Sequence, residues 1–398
     1  MTVEQADLVV VGAGTVGGWS ACFARLSGAG RVMVIDRGRA GDGASSRAAG
    51  IVRAQGGTPT TVALGRWSID FYRSQQERFG TDSGFREMGY LILATSSEAI
   101  AAGRQRVAMQ RAAGLDALWL EPSEAVVFNP NLDPDAFAGA SYVATDGFID
   151  PPRNVRAYSL GMSRLGVELR EQTTFTGLHV QRGRVRAVET SSGRVETSRV
   201  ILTGGPALSE VGRLAGLAIP AGAVRHQVAV TEPHPAFSVE RQAMGFDLDA
   251  GLYWRLEDGG LLFGMSNPDE PPGPAREVDW PYLEKMREQL AHLLPVTTDL
   301  GLRKVWAATI DFTLDHQPIL GPAITPRGER IEGATVASAG GHGMMWGPAV
   351  ARIAADLALT GQTSVADVRD LGLDRFDSEG RSRIATDPIA LPFPSSAR

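Results

Sequence analysis

Three glycines, Gly12, Gly14 and Gly17, stand at the spacing G-x-G-x-x-G within VGAGTVGG. The first suits a tight turn, the second lets the backbone approach a pyrophosphate, and the third lets a helix pack closely on a strand. The apolar run Asp7 to Val11 before them reads as a buried parallel strand. Trp19 to Leu26 reads as a helix that begins near Thr15 and turns its positive end to the phosphates. Arg31 to Asp36 reads as the next strand, and it ends on a carboxylate, Asp36, placed to accept ribose hydroxyls. Glycine spacing, strand, helix and acid together define a dinucleotide site.

Two further stretches favour FAD over NAD as that dinucleotide. Ala44-Ser45-Ser46-Arg47-Ala48-Ala49-Gly50 supplies hydroxyls, small residues and a cation soon after the second strand, where a larger cofactor needs embracing. A second glycine turn, Gly340-Gly341-His342-Gly343, leads into a helix near the C-terminus. A helix N-terminus aimed at the pyrimidine edge of a flavin stabilises the negative charge of the reduced ring. His342 in that turn acts through its backbone as much as its imidazole, and Met344, Met345 and Trp346 after it suit an apolar pocket wall. Tyr253 and Arg255 alternate along a strand, so they share a face and offer an aromatic wall and an anion contact. His226, alternating with apolar residues in VRHQVAV, reads as a sheet histidine, and His316 adjoins a segment expected near the flavin. His179, His234 and His292 have no supporting context, and no histidine pair has metal-ligand spacing, so no metal is expected.

The composition narrows the field. The chain has 398 residues, a formal net charge of −6 and 43% hydrophobic residues, which describes a packed protein without the basic face that nucleic acid requires. A single cysteine, Cys22, rules out an internal disulfide, a multi-cysteine zinc site and a disulfide reductase. Only Lys285 and Lys304 are lysines, so lysine chemistry has two candidates. Glu4 and Asp7 precede the uncharged run from Leu8 where a signal peptide would be basic, and glycines interrupt both apolar stretches. The chain is expected to be soluble and cytoplasmic, with no membrane contact and an undetermined oligomeric state.

The elements that must position these residues run α/β, mixed, β-rich and α/β again. Helices are expected at about 60–79, 97–113, 151–165, 278–293 and 347–359, and a strand from Arg86 to Thr95. Pro122, Pro130 and Pro134 read as punctuation of a connecting region, and the tail after Glu379 as irregular. The expected fold is α/β: a split Rossmann-like FAD-binding domain (residues 1–85, 140–218 and 320–398) with an interleaved antiparallel-sheet substrate domain of α+β character (86–139 and 219–319).

The stretches DLVVVGAGTVGG, VIDRG, ASSRAAGIVR, GFIDPPRNV, VILTGGPALS, TLDHQPILGP and GHGMMWGP lie in order over nearly the whole chain. Through them the sequence resembles the D-amino-acid oxidase type of flavoprotein, especially the sarcosine oxidase and dimethylglycine dehydrogenase branch. The resemblance implies oxidation of a C–N bond beside a carboxylate by hydride transfer to flavin N5, giving an imine that hydrolyses. It implies a substrate that is an amino acid or a secondary or N-methylated amine, with oxygen or another acceptor taking the electrons. It also implies that Arg53 pairs with the substrate carboxylate, a task that suits a bidentate guanidinium. The cofactor-binding set it implies extends from Gly12, Ala13, Gly14, Thr15, Val16 and Gly17 through Asp36 and Arg37 to Ala44, Ser45, Ser46, Arg47, Ala49, Gly50 and Ile51. Phe175, Gly204, Gly205, Gly341, His342, Gly343, Met344 and Met345 complete it.

Departures from the family pattern matter equally. Ala308 stands where monomeric sarcosine oxidases carry a flavin-bonding cysteine, and Arg47 where dimethylglycine dehydrogenases carry a flavin-bonding histidine. FAD is therefore expected to be noncovalent. Leu262 and Met345 fall where sarcosine oxidases carry lysines, which weakens the expectation of fast reaction with oxygen and of sarcosine as substrate. A 2-hydroxy-acid dehydrogenase on the same fold, or a flavin-bearing subunit of a heteromeric complex, are the alternatives. The purified protein should be yellow and release FAD into the supernatant on acid precipitation; flavin retained in the pellet would show a covalent bond.

Overall fold

The computed structural model describes residues 4–237 and 242–389; the ends of the expected domains, at 1–3 and 390–398, lie outside the described residues. Strands Leu8–Val11 and Val32–Ile35 are fully buried and pair in parallel, joined by the helix Thr15–Leu26. Val200–Leu202 pairs in parallel on the other side of Leu8–Val11, followed by Arg330–Ser338, while Glu168–Arg170 extends the edge beyond Val32–Ile35. Strands covered on both faces must be apolar at every position, and the two faces divide the residues by parity. Leu8, Val10, Val32 and Val34 enter one core with the helices; Val9, Val11, Met33 and Ile35 enter another beneath Leu208 and Val211.

Trp19, fully buried, fills the space between the first helix and its neighbours. Its indole N–H donates to Asn154 Oδ1 at 3.1 Å, and its ring meets Phe71, Phe79 and Tyr158 edge-on. Cys22 lies in the same core, and burial pushes its thiol well above the ordinary range, so it is a packing residue.

A second sheet of eight strands runs in the order Leu302–Thr313, Ala221–Thr231, Gly260–Met265, Leu252–Glu257, Met244–Asp247, Tyr90–Ala94, Gly139–Val143, Leu118–Leu120. Its neighbours are antiparallel except Met244–Asp247 against Tyr90–Ala94. The helix Trp280–Leu293 covers one face. The other face carries Tyr90, Phe246, Tyr253 and Leu262 toward the parallel sheet. Strand Gly139–Val143 belongs to this sheet.

Two local readings change. The stretch from Arg86 is two strands, Arg86–Glu87 in a small three-stranded sheet and Tyr90–Ala94 in the large one, because the chain turns at Met88-Gly89. Pro122 opens a short helix, Pro122–Phe128, using the first-turn position that needs no N–H. No helix among the described residues is long and apolar enough to cross a membrane.

The segment after the last long helix, Gly347–Thr360, is tied down by a buried ion pair. Arg375 donates Nε and Nη2 to the two oxygens of Asp315 at 2.7 and 3.0 Å. Burial alone would raise the Asp315 carboxyl, yet Arg375 holds it below the usual range. Removing one partner strands the other charge, so Asp315→Asn should lower unfolding free energy by about 3 kcal/mol in a denaturant titration. An unchanged midpoint would show that the pair is not a tether.

Candidate functional site

The glycine turn is shaped by close approach. Gly12 has φ +98°, and a Cβ there would meet Thr203 Oγ1. A Cβ on Gly17 would collide with the Gly12 carbonyl, so only glycine lets the helix start this close to the strand. Gly14 is the N-cap and brings no side-chain cap; Ser45 Oγ accepts the Thr15 N–H at 3.0 Å from across the loop. Asp36 Oδ2 accepts the Ala13 N–H at 2.7 Å and Oδ1 the Gly38 N–H at 2.8 Å, which fixes the carboxylate beside the turn with lone pairs to spare.

A trench runs on from this turn. At one end lie Asp36, Arg37, Phe175 and Gly204 with Val211, and at the middle Gly12, Gly14, Ala44, Ser45 and Gly205. It deepens past Val16, Ala49, Gly50 and Ile51 to a chamber lined by Arg53, Tyr90, His226, Phe246, Tyr253, Asp311, Gly341, His342, Gly343, Met344 and Met345. Glycines, a helix start with no cap of its own, a carboxylate and a second glycine turn, on adjoining cavities that share Gly12, Gly14, Ser45 and Gly204, suit a long dinucleotide with a ring system at the deep end.

The chamber chemistry rests on a few side chains. Arg53, only 4% exposed, donates Nη1 to the Gln55 carbonyl and Nη2 to the Ile389 carbonyl at 3.0 Å. These contacts use two of five N–H donors. His226 Nε2 and the Tyr253 hydroxyl are 2.6 Å apart, with rings stacked at 5.6 Å. Burial lowers His226 to about 4. Burial, then the Arg53 charge and His316, lower His342 to about 3, so both imidazoles are neutral at pH 7. Burial raises Tyr253, which stays a phenol. Asp311 accepts the Ser338 hydroxyl at 2.9 Å and lines the chamber, and burial raises its carboxyl.

Asp146 supports the arginine from behind. Val52 pairs with Gly147, so Arg53 and Asp146 lie across from each other where the strands end. The fully buried Asp146 carboxylate accepts the Ala54 N–H at 2.7 Å and Gln55 Nε2 at 3.0 Å. Burial pushes it up to about 7, against those donors and the Arg53 charge.

Five expected residues do not line these cavities. Arg255 shares Tyr253's face, but two residues carry it about 6.6 Å along the strand. There it lies over the Phe148 ring at 4.4 Å and donates to the Ala49 carbonyl and Glu257, outside the chamber. Trp346, 1% exposed, sits in the helical core behind His342 at 4.1 Å between ring centroids, not on the chamber wall. Ser46 opens onto a separate groove with Lys304 and Trp306. The Arg47 guanidinium is turned to the Asp42 and Gly43 carbonyls, and its own carbonyl accepts the Trp306 indole N–H. Ala13 holds the turn from beneath, its carbonyl accepting Tyr158 Oη at 3.1 Å. Ala308 is buried in register with His226, Leu262 packs in the sheet face beside the other groove, and neither lysine lines the chamber.

His226, Asp311, Asp146, Tyr90, Phe246 and Ile389 were not among the expected site residues. Cross-strand register brings His226 to Tyr253, and no local spacing signals it. Asp311 did carry a signal, since it lies four residues before the TLDHQPILGP stretch's own acid, Asp315.

The sequence matches the FAD dependent oxidoreductase (DAO) family over residues 7–357, and the chain belongs to that family. It is 26% identical over 340 residues to mitochondrial sarcosine dehydrogenase of Mus musculus, covering 82% of this chain and 37% of that protein. It is 25% identical over 326 residues to sarcosine oxidase subunit beta of Rhodobacter capsulatus, covering 80% of this chain and 77% of that one. Among solved structures, L-proline dehydrogenase from P. horikoshii superposes with a TM-score of 0.85 at 24% identity, over 93% of this chain and 97% of that chain, which shows the shared fold. The chain spans less than half the length of the dehydrogenase relative it matches. FAD is the cofactor of this family, and the trench fits it: Gly12–Gly17, Ser45 and Asp36 would hold its dinucleotide part and Gly341–Met345 would line its ring end.

The raised Asp146 carboxyl beside Arg53 predicts a pH dependence of anion binding in the chamber. Below about 7 it is neutral and Arg53 attracts an anion undiminished; above, its negative charge offsets part of that attraction. Acetate binding to the oxidised holoprotein should weaken by roughly three- to tenfold as pH rises from about 6 to 8, as for one charge at short range in a partly screened site. Asp146→Asn should abolish that step, and a step unchanged in the variant would assign it to another group.

Proposed function

We propose that the chain oxidises the C–N bond of a small amino acid or of a secondary or N-methylated amine that carries a carboxylate. The observation that carries this reading is Arg53, a nearly buried guanidinium with donors to spare in a chamber walled by Tyr90, Phe246 and Tyr253. Its two backbone acceptors leave donors unmatched, and an anion of matching shape would compensate the remaining charge in this apolar setting. Bound FAD would supply the acceptor for the hydride leaving the carbon beside nitrogen, giving an imine that water hydrolyses.

The chain's residues would bind, orient and dry the substrate. Arg53 takes the carboxylate. The Tyr253 hydroxyl, held by His226, presents a polar edge within the aromatic wall. An ammonium entering this chamber loses its water beside a positive charge, and both effects favour the neutral amine needed for oxidation. Neutral His342 and His226 add no competing cation. No residue is assigned as a base, since desolvation of the amine meets that need. Noncovalent attachment of FAD is supported by the alanine at position 308 and by the outward turn of Arg47.

A second reading, a catalytic subunit within an assembly, is favoured by the extent of the match to a protein named as a subunit beta. Substrate-dependent flavin reduction by the isolated chain would exclude a need for partners in the chemistry.

Arg53→Ala tests the reading. It should weaken carboxylate binding by about 2–5 kcal/mol, the cost of leaving a buried charge pair unmade, while FAD content stays full. Unchanged affinity, read from flavin difference spectra with acetate, would reject Arg53 as the anchor.

A further inference from the structure

The chamber has a wall that comes from the far end of the chain. Ile389, 1% exposed, packs with Tyr90, Phe246 and Tyr253 on the sheet face and lines the chamber. Its carbonyl accepts Arg53 Nη2 at 3.0 Å. One residue therefore supplies both an apolar surface to the substrate space and a fixed acceptor to the substrate's anchor.

The residues before it hold it there. Its N–H donates to Asp387 Oδ1 at 2.8 Å, and the Asp387 N–H donates to the Asp315 carbonyl at 3.1 Å. Asp315 is the acid clamped by Arg375. Gly57, in the loop just after Arg53, is where this strap passes: a Cβ there would meet the Asp387 carboxylate and Pro388 Cδ. The clamp, the turn and the glycine gap are three separate features that converge on one position for Ile389.

We propose that Ile389 sets the size limit of the substrate, closing the chamber beside the aromatic wall that it packs against, while its carbonyl fixes the direction in which Arg53 presents its remaining donors. This rests on the reading of Arg53 as the carboxylate anchor. It favours amino acids with a short side chain, or with the nitrogen and side chain joined in a small ring, over bulky ones.

Two carboxylates of different size, acetate and benzoate, serve as probes on the oxidised, FAD-loaded protein, with dissociation constants read from flavin difference spectra. Ile389→Ala should tighten benzoate by about tenfold, the usual worth of a small apolar group in a pocket, and shift acetate by less than about twofold. Ile389→Trp should do the reverse, losing benzoate and keeping acetate. Gly57→Ala, which displaces the strap from outside the chamber, should resemble Ile389→Ala and in addition weaken acetate, because the carbonyl moves off Arg53. Equal shifts for both probes in the Ile389 variants, or none, overturn the proposal. The underlying reading fails separately: Arg53→Ala then leaves both constants unchanged whatever the Ile389 variants do. A wild-type protein that binds neither probe overturns both.

Discussion

A guanidinium cannot be taken out of water without acceptors, and the burial of Arg53 dictates much of what surrounds it. Two backbone carbonyls, from Gln55 and Ile389, come from opposite ends of the chain to meet it. Asp146 stands across the strand pair and holds the same loop by its Ala54 N–H and Gln55 side chain. Gln55 in turn accepts the Ser141 hydroxyl at 2.8 Å and donates to the Tyr90 carbonyl at 2.9 Å, which ties the loop to the large sheet. The small three-stranded sheet, the eight-stranded sheet and the C-terminal strap thus meet around one charge. In the proposed reading, its unused donors mark the end of the chamber that takes the substrate carboxylate.

The rest of the trench follows a different logic, that of empty space kept open. Gly12 and Gly17 let strand and helix approach until the helix start is bare, and Ser45 gives that start a single hydroxyl in place of a capping residue of its own. The second glycine turn delivers Gly341 to Met345 to the same cavity from the same carboxyl edge of the parallel sheet, two strands away from the first. Strands of the two sheets alternate along the chain, and residues of both line the chamber.

Local signals made the parallel part of the fold legible. Runs such as LVVV and VMVI are apolar at every position because both faces are covered, and the glycine spacing locates the turn between them. Gly12, Ser45, Asp36, Arg53, Tyr253 and His342 could be singled out because each sits in a motif or on a strand of clear alternation. The pairing of His226 with Tyr253 depends on which strands neighbour each other across 27 residues, and the reach of Ile389 to Arg53 spans 336. Neither has a local pattern. Arg255 and Trp346 show the converse: a sound local pattern put them on plausible faces, but distance along the strand and the packing of a helix start removed them from the chamber. Pro122 was legible as a boundary, yet proline marks the start of a helix as readily as its end.

The central claim is that this site removes hydride from carbon beside nitrogen in a small carboxylate-bearing amine. It is tested most directly by anaerobic mixing of the FAD-loaded protein with N-methyl amino acids, cyclic amino acids and the matching 2-hydroxy acids, following the long-wavelength flavin band. The account predicts bleaching by one or more of the amines, with the imine or its hydrolysis products formed in equal amount to flavin reduced. Bleaching by the hydroxy acids alone, with the amines inert, would contradict it.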